Sequence, residues 1–259
     1  MDYGYMMGAS GVISAMYRQD VASNNLANIE TIGFKPDFAT TVPREAVRQE
    51  DGVYDLPSNV LLEKLGAGVL LAPNKTSFSQ GAITPTKNPF DLAIEGDGFL
   101  VVSDGSKGRG NFVRYTRDGR LSMNAEGRLV TVSDGRTVLD DAGRSITLDP
   151  TRDFQVRSDG TVLQAGQQVA KMQFVDVPDR SNLRKVGDNL YAPNNVATAS
   201  ARPASGRIVQ NAIERSGAEA IRSVMAVQAA ASAVGNNVKM MQIHDEMMNR
   251  AINTLGRVA

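Results

Sequence analysis

From Ala220 to Leu255, the positions Ala220, Val224, Val227, Ala231, Val234, Val238, Met241, Asp245, Met248, Ile252 and Leu255 follow an unbroken alternation of three and four residues. Only Asp245 among them is charged. A 3.5-residue repeat held this long draws one apolar stripe along a helix, and such a stripe needs another helix to cover it. Alanines between Ala218 and Ala233 allow that neighbour to come close. A core helix of a globular domain is the plainer alternative, but it wants several helices around it. The sequence offers one other clear candidate, at the opposite terminus. There Tyr5, Ala9, Val12, Met16, Gln19, Ser23 and Leu26 keep the same spacing, which predicts a moderately amphipathic helix.

Between these helices the pattern changes. Short β-rich runs at Phe99–Ser103, Phe112–Thr116, Arg128–Ser133, Arg136–Asp140, Ser145–Asp149 and Lys171–Val177 alternate with turn pairs. The pairs are Asp97-Gly98, Asp104-Gly105, Asp118-Gly119, Glu126-Gly127, Asp134-Gly135 and Asp159-Gly160. An acidic residue followed by glycine suits the positive φ of tight hairpins, so a meander of antiparallel strands is expected. The fold class read from the chain is α+β: an antiparallel β-rich central domain flanked by terminal helices that pair in a coiled-coil-like assembly domain. The expected boundaries are an assembly helix and motif at 1–35, an extended arm at 36–71 and the β-rich domain at 72–192. A Pro/Ser/Ala-rich linker at 193–215 and a second assembly helix at 216–259 complete the chain.

Chemistry is sparse. The one histidine, His244, has no cysteine anywhere to join it in a metal site. Eight of the 28 Asp and Glu residues stand directly before a glycine, where turn geometry explains them. "SDGSKGRGN" and "EKLGAGV" match neither a Walker loop nor a dinucleotide fingerprint, and no Gly-x-Ser-x-Gly elbow occurs. Catalytic, cofactor and metal residues are therefore expected to be none. Lys+Arg and Asp+Glu both number 28, so no net field attracts nucleic acid or an anionic membrane. No run reaches the ~20 apolar residues of a membrane span, and the N-terminal stretch lacks the basic start of a cleavable leader.

The residues after the first helix are the most distinctive. "SNNLANIETIGFK" (Ser23–Lys35) resembles the N-terminal motif of the bacterial flagellar rod and hook proteins. Asn25, Leu26, Ala27 and Asn28 fill its core, and Thr31, Gly33, Phe34 and Lys35 its tail. "FDLAIEGDGFLVV" (Phe90–Val102), "YTRDGRLSMNAEGRLVT" (Tyr115–Thr131) and "GDNLYAP" from Gly187 resemble further segments of the family in the right order. The C-terminal signature departs. Glu214 and Ser216 are kept, Gly217 stands where an asparagine is usual, and Ala229-Ala230 replace an Arg-aromatic pair.

The resemblance implies a subunit of the basal-body rod that polymerises as a helical tube and transmits torque from motor to hook. It implies export without a cleaved leader, and as partners further copies, other rod and hook subunits, the flagellar export apparatus and the surrounding outer rings. A short hook-like or rod-accessory subunit is the alternative within the family, and an unrelated β-rich adhesin or cap protein the alternative outside it. The assembly interface is expected at Asn24, Asn25, Leu26, Ala27, Asn28, Thr31, Gly33 and Phe34. On the last helix it takes in Val224, Val227, Val234, Val238, Met241, Met248, Ile252 and Leu255. Both termini are expected to order on assembly, since a lone helix pair makes a poor core.

Overall fold

A computed structural model describes residues 3–46, 68–103, 113–194 and 201–255, with a few isolated positions between 47 and 67. The architecture is α+β, and the described chain divides into two compact units. One gathers the described parts of Met1–Ala27, Asp37–Ser77 and Glu219–Ala259, and the other holds Asn28–Pro36 and Phe78–Ala218.

The helical unit contains α1 (Tyr3–Ala27), α2 (Ala220–Leu255), β1 (Asp37–Pro43) and β2 (Val69–Thr76). β1 and β2 pair antiparallel, with a register shift between Phe38 and Thr40. A two-stranded ribbon is marginal alone, and this one lies along α1. Arg18 Nη2 donates to Thr41 Oγ1 at 3.5 Å, and Val69 N–H donates to Ser10 Oγ at 3.4 Å. The segment read as an extended arm thus begins and ends in a ribbon, and most of its middle lies outside the described residues.

The β unit contains β3 (Ile83–Pro85), β4 (Leu92–Glu95), β5 (Phe99–Ser103), β6 (Val113–Thr116), β7 (Leu121–Met123), β8 (Leu129–Thr131), β9 (Phe154–Val156) and β10 (Thr161–Gln164). β11 (Gln167–Lys171), β12 (Phe174–Asp176), β13 (Leu183–Lys185), β14 (Leu190–Pro193), β15 (Arg202–Pro203), β16 (Arg207–Gln210) and β17 (Ala212–Glu214) follow. The largest sheet has the order β13-β14-β6-β5-β12-β15, and smaller antiparallel pairings surround it. The runs at 136–140 and 145–149 join through single bridges, such as Val102 with Val138 and Leu139 with Ser145.

β5 explains why "FLVV" reads as a continuous apolar run. Leu100 and Val102 enter one core with Leu121, Leu129, Ile146 and Met172, while Phe99 and Val101 enter a second with Tyr115, Leu139 and Tyr191. Both faces of the strand are covered, so the two-residue alternation disappears from the sequence. Three of the turns follow the expected chemistry: φ lies between +69° and +86° at Gly127, Gly135 and Gly160. Gly98 lies at +154°, Gly105 is outside the described residues, and Gly119 takes no positive φ. It is needed for space, since a β-carbon there would stand 1.6 Å from Leu92 O.

Residues 202–214 differ from the linker reading. β16 pairs with β4 in the register Ile208 to Ile94, and β17 pairs with β3 in the register Ile213 to Thr84. Strands this short carry too few alternations to be seen in a stretch rich in small residues.

Candidate functional site

In the helical unit, α1 meets α2 through glycines. A β-carbon at Gly4 would stand 2.4 Å from His244 Nε2, one at Gly8 2.6 Å from Met241 Cγ, and one at Gly11 3.0 Å from Asn237 Oδ1. Rising numbers on α1 meet falling numbers on α2, so the pair is antiparallel. By the same register the end of α2 runs on past the start of α1. Among the enclosed positions of α2 are Ser223, Val227, Ala230, Val234, Asn237, Met241 and His244, again three and four apart, with Ala233 beside Val234. Three of the eight α2 positions expected at the interface belong to this face: Val227, Val234 and Met241. Four others do not. Val224 is 50% exposed, Val238 40%, Met248 44% and Ile252 63%. The side chain of Leu255 lies outside the described residues. A stripe that wide cannot all be covered by one helix, and the glycines of α1 select the face with the smaller, more polar residues. On α1, Met6, Ile13 and Met16 remain exposed, and Phe38, Val42 and Leu70 of the ribbon do too.

The motif asparagines have local tasks. Asn25 is buried, its Nδ2 donates to Asp37 O at 2.7 Å, and its Oδ1 accepts from Asp37 N–H at 3.0 Å. The side-chain amide thereby acts as a strand partner for the first residue of β1. Thr76 Oγ1 donates to Asp37 Oδ1 at 2.6 Å, closing the same corner. Asn24 and Ala27 are exposed and Leu26 is half-buried.

In the β unit the rest of the motif is held by a buried charge cluster. Thr31 N–H and Oγ1 both donate to Asn28, forming the turn that leads to Gly33. Gly33 has φ +70°, and a β-carbon there would press to 2.7 Å from Arg117 O, so both conformation and space demand glycine. Gly33 N–H donates to Glu214 O at 2.8 Å. Phe34 is buried under Lys185, whose Nζ lies 4.3 Å from the ring centre. Lys35 Nζ donates to Glu214 Oε1 at 2.6 Å and to Ser79 O at 2.7 Å, and Gly81 N–H donates to that same Glu214 oxygen at 2.9 Å. Arg117 Nε faces Glu214 Oε2 at 3.3 Å without a hydrogen bond. Lys35, Arg117 and Glu214 are all withdrawn from water. Two cations therefore share one carboxylate. Burial, with the Arg117 charge beside it, pulls the Lys35 ammonium down from 10.5 to about 8, and the attraction of Glu214 offsets only part of this. Sequence reading found Lys35 as a motif residue but not its partners, because Glu214 lies 179 residues away.

Three carboxylates of the β unit are each engaged separately. Asp118 accepts from Arg120, Asp97 pairs with Arg180, and Asp91 accepts from Asn88. A cavity of about 710 Å³ lies beside Phe90, Met123, Leu148 and Phe154. Of its polar lining residues, Gln164 and Gln210 are bonded to backbone of Asp149, Val156 and Pro89. Among the described residues no cluster of His, Cys, Asp or Glu could hold a metal, and no helix is long and apolar enough to cross a membrane.

The distinctive features of the described residues are uncovered apolar helix faces and buried charges that hold the chain's own segments together, the pattern of a structural protein. Residues 7–35, spanning most of α1 and the motif, match the family described as flagella basal body rod protein. Residues 93–164 match the flagellar hook protein FlgE/F/G D1 domain. The chain is 33% identical to the flagellar basal-body rod protein FlgF of Caulobacter vibrioides over the full length of both. It is 30% identical to the FlgG rod protein of the same organism, over 93% of this chain and 94% of that one. It is also 37% identical to the hook protein FlgE of Helicobacter mustelae, over 46% of this chain and 26% of that one. The chain belongs to the flagellar basal-body rod protein family.

Proposed function

We propose that this chain is a structural subunit of the flagellar basal-body rod, and that it joins copies of itself and other rod and hook subunits into a helical tube carrying torque from motor to hook. One observation carries the reading: a full-length likeness to named rod proteins coincides with a helix pair whose apolar residues stay largely uncovered. Val224, Val238, Met248 and Ile252 face neighbouring copies in a coiled-coil-like contact, while Val227, Val234 and Met241 hold α1. Asn24, Leu26 and Ala27 lie at the edge of the same surface, and Asn28, Thr31, Gly33 and Phe34 act indirectly by fixing where the first helix ends. A contact between unlike faces that does not close on itself propagates as a tube rather than a ring. The helical unit with its β1–β2 ribbon serves assembly, and the β unit, residues 28–36 and 78–218, forms the body of the subunit. The subunit passes through the flagellar export apparatus and ends inside the surrounding outer rings.

The test is a pair of surface variants, Val224→Asp and Val238→Asp, in the full chain. Buried carboxylates without partners are strongly disfavoured, so rods should fail to form while the β domain keeps its circular dichroism. Normal rods from the double variant would overturn this reading.

A further inference from the structure

The methionines are unevenly placed. Residues 6, 7, 16, 225, 240, 241, 247 and 248 lie on the two helices, and only Met123 and Met172 lie in the β unit. Met6, Met16, Met225, Met240, Met247 and Met248 are 39% to 64% exposed. Met172 is wholly enclosed in the larger core. The chain has no cysteine and no tryptophan to draw an oxidant elsewhere. Susceptibility of a thioether follows its exposure, and oxidation turns a flexible apolar side chain into a polar one.

We propose that the exposed thioethers of α1 and α2 form an oxidation site for peroxide-class two-electron oxidants, whose modification stops the helical faces from associating. The methionine sulfur attacks one peroxide oxygen, the O–O bond breaks, an S–O bond forms, and the second oxygen leaves as water. Sulfur gives up two electrons and the peroxide takes them, and a methionine sulfoxide reductase returns the thioether. Each sulfoxide places a strong acceptor beside exposed apolar residues such as Ile13, Val224, Val238, Ile243 and Ile252, where an unpaired polar group opposes burial. The β unit keeps its fold, because Met172 inside its larger core is sealed and the half-buried Met123 only packs against that core's edge. The effect on association rests on the rod-subunit reading, whereas the pattern of oxidation does not.

The experiment treats the dilute full chain with hydrogen peroxide, maps added oxygen by peptide mass spectrometry and measures the sedimenting fraction after assembly conditions are restored. The six exposed sites should gain oxygen before Met172, the sedimenting fraction should fall with them, and reductase should restore it. A variant with Met6, Met16, Met225, Met240, Met247 and Met248 changed to Leu should assemble untreated and resist the peroxide. Equal oxidation of Met172, or an oxidised chain that sediments like the untreated one, overturns the proposal. An untreated chain that never sediments overturns the association step and the rod reading together, while the oxidation map still judges the site.

Discussion

Glu214 is the carboxylate that both buried cations, Lys35 and Arg117, approach, which makes the cluster unequal in a way that can be measured. Changing Glu214→Gln leaves Lys35 and Arg117 enclosed without a carboxylate and should cost about 3–5 kcal/mol, the range for breaking a buried pair from one side. Changing Lys35→Met leaves a one-to-one pair, with the loss of the bond to Ser79 O, and should cost only about 1–2 kcal/mol. Lys35 also predicts a pH dependence. Its folded value of about 8 lies below its ordinary 10.5, so between these values the unfolded chain binds a proton that the folded chain has released. Stability therefore rises with pH through this window, by about 2 kcal/mol between about pH 7 and about pH 9.5. Burial raises the Tyr115 phenol, so its opposing effect begins only above this range. Urea unfolding followed by circular dichroism should give this rise in the native chain and a flat profile for Lys35→Met. A native chain that loses stability across the window, or a Lys35→Met variant that keeps the rise, would refute the reasoning.

Asn25→Ala removes both bonds to the backbone of Asp37 and should destabilise that corner of the helical unit by about 1–3 kcal/mol, read as faster hydrogen exchange in β1. Gly8→Leu places a side chain where Met241 Cγ already stands, so α1 and α2 should separate, with loss of helical ellipticity at unchanged β signal. Gly33→Ala meets both a left-handed φ and the backbone of Arg117, and urea unfolding should show a loss of at least about 1 kcal/mol.

The α+β class, the two helices and the position of the Asn-Leu-Ala-Asn motif were all legible in the residues. The heptad spacing showed that α2 needed partners, but it could not say which positions α1 would cover. That choice was made by Gly4, Gly8 and Gly11, which carry no hydrophobic signal and act only by letting Met241 and Asn237 approach. Asn25 was expected at a contact between copies, whereas its amide bonds Asp37 within the chain. The Lys35–Glu214 pair could not be read at all, since local patterns do not report a contact between the first motif and the last strand.

Because the chain has no native cysteine, a single Val238→Cys substitution reports directly on the uncovered face of α2. Maleimide labelling should be rapid in the dilute subunit and strongly suppressed once rods have formed. Equal labelling in both states would mean that this face never meets a neighbour, contrary to the account.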